Sequence, residues 1–431
     1  MCRELLEVVE VDEIEDWVET VDRVAGLDLG KASLTACIRV PSEQRPGGRS
    51  QEVRDYATTT GSLLELADHL RAQSVRLVAM EATGEYWKPV FYLLEAEGFT
   101  CWLLNAHHVK NVPGRPKTDK LDAVWLAKVV ERGMCRPSFV PPKPIRQLRD
   151  LTRYRRVLIR ERTREKQRLH NVLEDAQIKL SSVITDLFGV SGRAMIEAMI
   201  DGQRDPKVLA QMAHGVMRSK IGALTEALRG HFEDHHAFIC RVMLQRIDTL
   251  DAQIGQLDDK IGQMIAPFAG QVTRLDEVAG IGRTNAQELI AEIGVDMSVF
   301  ATSAHLVSWA KYCPQPRQSA GHDKQRSTGK GNPYLAGALG EIGIGASRTN
   351  TFLGERYRRI ARRRGKKRAL VATGHSVLTI AWHLLADPDT HYLDLGPDHY
   401  QSKINKDRQA RALIRQLQHI TGQQVLLEPA A

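Results

Sequence analysis

Four carboxylates in this chain have the types and neighbours of ligands for a divalent cation. Asp28 lies in GLDLGK, Glu81 in VAMEATGEYW, and Asp119 and Asp122 in KTDKLDA. Hard cations take oxygen ligands, and a pair of Mg²⁺ ions about 4 Å apart can neutralise the attacking and leaving oxygens of a phosphodiester. Asp28 sits in an apolar run, where a lone carboxylate is costly unless a cation or hydrogen bonds compensate it. Glu81 ends a second such run. Asp119 and Asp122 are three apart and share one helix face. Singly, each acid has a bland account: Asp119 caps a helix and Asp122 is a surface acid. Together, in this order, they predict a metal centre that works on nucleic acid. A second group is Ser319, in PRQSAG, beside Arg317, Lys324, Arg326 and Lys330. Most serines in glycine-containing loops are turn residues. A hydroxyl among cations could also attack phosphorus and form a phosphoserine.

The elements that must position these groups are legible. RVAGLDLG and SLTACIRV read as a hairpin, followed by a Pro/Gly/Arg-rich loop and a third strand near 51–57. SLLELADHLRAQ has helical spacing, and VRLVAM is a short strand ending at Glu81. EYWKPVFYLLEAEG reads as a helix stopped at Gly98. FTCWLL is a further strand, and DKLDAVWLAKVVERG an amphipathic helix. RPSFVPPKP is a Pro-rich break. Beyond it, Ile145 to about Leu180 and roughly 236–265 are two long polar helices with apolar residues at three- and four-residue steps. That pattern predicts an antiparallel coiled coil. Residues 181–235 read as a small helical insert. LDEVAGIGRTNAQELIAEIG carries a Gly-Ile-Gly turn between helices, as in a helix-hairpin-helix, whose backbone N–H groups can hold phosphate.

At 431 residues the chain is expected to hold several domains. We divide it into an acidic extension (1–22), a catalytic α/β domain (23–140), a coiled-coil and helical linker (141–270), a helical domain with the serine loop (271–387) and a polar, peripheral tail (388–431). The net charge is +8. The first twenty-two residues hold nine acids and one Arg, so the remainder carries about +16. A basic body of this size favours a polyphosphate partner through counterion release, with solvated helices as the rival account. Its densest cluster, Arg356–Arg368, contains Arg358, Arg359, Arg362, Arg363, Arg364, Lys366 and Lys367. These read as a phosphate-binding helix face.

Six scattered cysteines have no metal or disulfide spacing, and Cys37 and Cys101 read as small buried hydrophobes. His107, His108, Tyr86 and Trp87 lie close to the acids in sequence. Ordinary loop positions for the histidines, and core packing for Trp87, compete with functional roles. No stretch has the continuous apolar length of a membrane span. The acidic N-terminus lacks a basic-then-apolar leader. Cytoplasmic localisation without a membrane partner is therefore expected.

GLDLGK, MEATGEYW and GRPKTDKLDA resemble the DEDD domain of insertion-sequence transposases of the IS110 (IS one-ten) family. LDEVAGIG followed by PRQSAGHDKQRSTGKGNPYL resembles that family's C-terminal transposase domain. The resemblance covers most of residues 23–385, and the order β-β-β-α-β-α-β-α is that of the RNase H fold. It implies an RNase H-like (RuvC-like) N-terminal domain, and a Mg²⁺- or Mn²⁺-dependent DNA transposase and site-specific recombinase. Its four acids map to Asp28, Glu81, Asp119 and Asp122, and its nucleophile to Ser319. It further implies dimers and tetramers with a composite site, DNA partners at the element ends and target, and a structured bridge RNA as guide. The chain departs from the pattern in its acidic extension and in His322-Asp323 after the serine. Two rivals remain: a RuvC-like junction-resolving nuclease using metal-activated water, and a catalytically inactive nucleic-acid-binding scaffold.

Overall fold

The computed structural model describes residues 21–82, 84–105, 119–314, 318–319, 322–323, 328–402 and 406–424. The chain divides into two compact units, Met1–Val140 and Pro141–Ala431. In the first, β1 (Val24–Leu29), β2 (Ser33–Pro41), β3 (Arg49–Ala57), α1 (Thr60–Ala72), β4 (Leu77–Glu81), α2 (Trp87–Ala96), β5 (Thr100–Leu104) and α3 (Asp119–Glu131) follow in the predicted order. The sheet runs β3-β2-β1-β4-β5. The first three strands are antiparallel, and β4 and β5 extend the sheet parallel to β1.

Strand side chains alternate between the two faces, and here the alternation separates two cores. Ala25, Leu27, Leu29, Val78 and Met80 pack beneath α1 and α2, against Leu63, Leu66, Leu70, Val90, Phe91 and Leu94. Val24, Leu77 and Ala79 face the other way, beneath Leu126 and Val130 of α3. Cys37 joins that second face under Ala123, Val124 and Ala127. Burial pushes its thiol up to about 11, in keeping with a small hydrophobe rather than a reactive group.

Glycine weakens a strand interior unless another backbone must come close. Gly26, in the central strand, is such a case. A Cβ there would lie 2.5 Å from both the Ala123 carbonyl oxygen and the Ala127 nitrogen. Helix α3 therefore rests its backbone directly on β1. Its direction is set at the far end, where the Glu131 carbonyl accepts from Val21 N at 3.1 Å. The Glu131 carboxylate pairs with Arg39 and, at 2.9 Å, with Arg49. Because Arg39 lies opposite Val24, α3 ends over the start of β1 and begins over its end.

The second unit is helical. Helix α4 (Lys143–Asp175) is followed by α5 (Val190–Ile200), α6 (Pro206–Ala210) and α7 (Ile221–Ala227), and then by the long α8 (Asp234–Ile265). Helices α4 and α8 run antiparallel. Arg155 pairs with Asp258 at 2.9 Å, Arg162 with Asp251, and Glu165 with Arg246 at 3.9 Å. Leu158, Leu250 and Ile254 close the seam between them. The insert helices pack on the far ends of this pair around Met195, Ile196, Met199 and Leu224. Next come α9 (Ala269–Asp276), α10 (Arg283–Ile293) and α11 (Ser303–Trp309). The serine segment is a two-stranded ribbon rather than a loop: β6 (Gln318–Ser319) pairs with β7 (His322–Asp323).

Helices α12 (Pro333–Ser347), α13 (Phe352–Arg364) and α14 (Lys366–Ala386) complete the body. Among the described helices, α14 alone is long and apolar enough to cross a membrane. Here it is a core helix, with Ala369, Val377, Leu378, Ala381 and Leu384 buried. The tail is less peripheral than expected, because it carries α15 (His399–Ser402) and α16 (Lys406–Thr421). Tyr400 stacks on Phe352, with ring centroids 5.3 Å apart, and the Arg359 guanidinium lies 3.9 Å from the Tyr400 ring centre. Aromatic stacking outweighed the polar composition of that segment.

The contact at Gly26 generates one expectation. Gly26→Ala should destabilise the chain by about 1–3 kcal/mol through overpacking, read as a lower denaturation midpoint in urea. An unchanged midpoint would mean that α3 does not bear on β1.

Candidate metal centre and nucleic-acid interface

On the α3 face the sheet changes character row by row. Val24, Arg39 and Leu77 lie at one end, Gly26, Cys37 and Ala79 in the middle, and Asp28 and Thr35 beyond them. The parallel register pairs Leu27 with Met80, so Asp28 and Glu81 are the next residues on neighbouring strands. By alternation both share the face of Val24, Leu77 and Ala79. Glu81 is 7% exposed, and Asp28 is half-buried.

Helix α3 supplies the third acid. Ala123 and Ala127 sit over Gly26, so Asp122 lies one residue further toward the end of β1 that carries Asp28. Asp122 is half-buried. Asp119 opens the helix three residues earlier, about 4.5 Å of rise toward the same end; its side chain lies outside the described residues. The fold thus carries Asp28, Glu81 and Asp122 to one end of one face.

One feature of this row went unread in the sequence. Thr35 is the direct partner of Asp28 on β2 and of Asp55 on β3. Its hydroxyl donates to Asp55 Oδ1 at 2.7 Å. Asp55 is therefore a further carboxylate in the same row. The short hairpin turn after Leu29 fixes this pairing, and counting back from it would have placed Thr35 opposite Asp28.

Tyr86 is 44% exposed, five residues after Glu81. Trp87 instead packs edge-on to Phe91 and Tyr92, at 5.6 and 5.9 Å. His107 and His108 lie outside the described residues, as do Arg317, Lys324, Arg326 and the side chain of Ser319. Lys330 is exposed.

The predicted basic cluster separates into two kinds. Arg356 donates to the Tyr400 hydroxyl at 3.0 Å. Arg358 donates to the carbonyls of Ser347 and Thr349, at 3.2 and 2.9 Å, where α12 ends. A cation at a helix C-terminus satisfies orphan carbonyls and opposes the helix dipole. Arg359 lies on Tyr400. By contrast Arg362, Arg363, Arg364, Lys366, Lys367 and Arg368 are exposed around Gly365, where α13 turns into α14.

The family models that this chain matches define its class: enzymes that cut and rejoin DNA. Comparison with known families gives the particular case. Residues 25–178 match the family model of a DEDD-type IS110 transposase, and residues 272–358 match the model described as transposase, IS116/IS110/IS902 family. The two matches together span more than half of the chain, which belongs to the IS110 family of insertion-sequence transposases, with a DEDD RuvC-like N-terminal domain. Its substrate is DNA, and domains of this kind use divalent metals. Among solved structures the chain is similar to that of Thermus thermophilus RuvC. The identity is 14%, over 27% of this chain and 99% of that one, with a TM-score of 0.21. No curated protein matches it.

The two kinds of arginine should separate experimentally. Replacing Arg363, Lys366 and Lys367 with alanine should leave the thermal midpoint unchanged. It should also flatten the slope of log affinity against log salt for duplex DNA by about 3, one counterion per cation. Arg358→Ala should lower the midpoint, with little change in slope. The reverse pattern would place the nucleic-acid contacts elsewhere.

Proposed function

We propose that the chain is a Mg²⁺-dependent recombinase, with Mn²⁺ as a substitute, that moves its element through a covalent serine intermediate. The observation that supports this reading is the end of the α3 face, where Asp28 and Glu81 lie on neighbouring strands, Asp122 lies on the helix above them and Asp119 opens that helix. All are hard oxygen donors, which suits a divalent cation. When bound, such ions neutralise charge on the phosphate. The protein's own part is to hold the donors fixed and exclude alternatives to the intended line of attack.

Ser319 Oγ forms a bond to phosphorus as the scissile P–O bond breaks. The hydroxyl proton leaves to solvent, and the departing strand oxygen takes one up. Attack by a second strand's hydroxyl reverses these changes and releases the serine, so bond energy is conserved through strand exchange. The domain organisation we propose keeps the acids in 23–140 and the serine in 271–387. Residues 141–270 form a coiled-coil strut, and 1–22 and 388–431 are terminal appendages. The Gly-Ile-Gly turn and the cations Arg317, Lys324, Arg326, Lys330 and Arg362–Lys367 contact phosphates. Dimers and tetramers bring the acids of one copy to the serine of another. A bridge RNA encoded by the element selects the DNA by base pairing.

The test uses the full chain with element-end DNA and RNA transcribed from the flanking non-coding DNA. Asp28→Ala and Ser319→Ala should each lower recombination by at least about a hundredfold while DNA binding persists. Chelation should abolish it, and Mg²⁺ or Mn²⁺ restore it. A protein–DNA adduct surviving denaturation should form with the wild type and be absent with Ser319→Ala. Recombination by the serine variant would overturn the nucleophile and favour metal-activated water.

A further inference from the structure

The serine ribbon springs from a closed neck, and one side of that neck is tied to a buried charge. We infer that Asn332 is a positioning residue for Ser319, through its tether to Glu292; this rests on the serine reading above.

Both roots of the ribbon are held within the second unit. On the incoming side, the Tyr312 hydroxyl donates to the Ala336 carbonyl at 3.4 Å, and Cys313 Sγ lies 3.9 Å from His375 Nδ1. The two roots touch: a Cβ on Gly331 would lie 2.5 Å from the Ala310 carbonyl oxygen. On the outgoing side, Asn332 Oδ1 accepts from the backbone N–H groups of Tyr334 and Leu335, at 3.0 and 3.4 Å, and so caps α12. Its Nδ2 donates to Glu292 Oε2 at 2.5 Å.

Glu292 is 2% exposed. Arg153 donates to both of its carboxylate oxygens at 2.8 Å. Arg149 donates to the carbonyls of Ala291 and Glu292, at 2.9 and 2.8 Å, closing the end of α10. The other ionisable groups lining this site are Arg156, Glu288 and Tyr334. The tether therefore ends in a charge on α10 that is fixed to the long helix α4. A side chain that only capped α12 would need an acceptor; serine or aspartate would serve as well. The amide adds a donor for a buried carboxylate: aspartate offers none at neutral pH, and the serine hydroxyl stands one bond nearer the backbone than the amide nitrogen that reaches Glu292. A reacting oxygen must be held within a fraction of an ångström to react well. Ser319 sits thirteen residues before this anchor, paired through its backbone with His322, so slack at the root passes to the ribbon.

The experiment measures covalent adduct formation by the full chain with element-end DNA and guide RNA. Asn332→Ser keeps the cap and removes the tether. Adduct formation should slow about tenfold or more, with DNA affinity and thermal midpoint nearly unchanged. Asn332→Asp sets a second carboxylate against Glu292. Two carboxylates at this distance repel, so the last proton of the pair leaves with a raised pKa and its loss breaks the tether. Adduct formation should be slowest at neutral pH and recover as the pH falls and an O–H···O bond restores the tether. The wild type should show no such gain. Wild-type rates in both variants, or losses that merely track unfolding or lost DNA binding without the pH recovery, would overturn the proposal. An adduct that persists in Ser319→Ala would instead remove the serine reading on which it rests.

Discussion

The acid row depends on one steric fact, the missing Cβ at Gly26. It lets the backbone of α3 rest on β1 at Ala123 and Ala127. That contact decides where Asp122 stands relative to Asp28 and Glu81. Gathering carboxylates is unfavourable in itself, since like charges repel and each loses water. The opposing energy comes from elsewhere on the same face. Val24, Leu77, Ala79, Leu126 and Val130 are packed dry, and Arg39 and Arg49 hold Glu131 at the other end of the helix. The helix is pinned apolar at its middle and ionic at its tail. Its acidic head lies over the end of β1 that carries Asp28.

The second unit solves a similar problem with buried ions. Arg155 and Arg156 of α4 are 3% and 6% exposed and meet Glu288, Glu341 and Asp258. Desolvation pushes the Glu288 carboxyl up, against the pull of Arg156 and Arg155. Such networks are weak as sources of net stability, but removing one partner strands the other. Their directionality suits a junction of four helices, where α4, α8, α10 and α12 must keep one relative register. Greasy contacts alone would permit sliding.

Much of the first unit was legible because its elements are short and strongly patterned. Each strand alternates or runs apolar, each helix shows its own period, and the acids fall at element ends where they are conspicuous. What the pattern could not carry was contact between elements distant in sequence. Nothing local to Gly26 marks it as the seat of α3, because Ala123 and Ala127 lie far along the chain. Thr35 and Asp55 were invisible without a register. In the second unit the long helix from Ile145 read as polar with an apolar stripe, yet Arg146, Arg155 and Arg156 are buried on it. The acidic partners of Arg155 and Arg156 lie some hundred or more residues away, beyond any local window. The Asn-Pro pair at 332–333 did mark the start of α12, because a cap and a proline at the first turn are local chemistry. The bond from that same asparagine to Glu292 is tertiary, and no spacing announces it.

Net charge illustrates the same limit. An excess of about +16 beyond residue 22 suggests a surface made for phosphate, but cations in this chain do two different jobs. Arg153, Arg155, Arg156 and Arg162 of α4 pair with acids on α8, α10 and α12, and Arg358 satisfies carbonyls at the end of α12. Their charge is matched inside the fold and leaves little field outside it. The run from Arg362 to Arg368 is exposed, with Glu355 paired to Arg358 at 3.1 Å and to Arg362 at 4.0 Å. Counterion release depends on charges that face solvent before binding. Composition therefore overstates how much of this basic surface can act on DNA, and the distinction rests on which arginines already have carboxylates or carbonyls to hold.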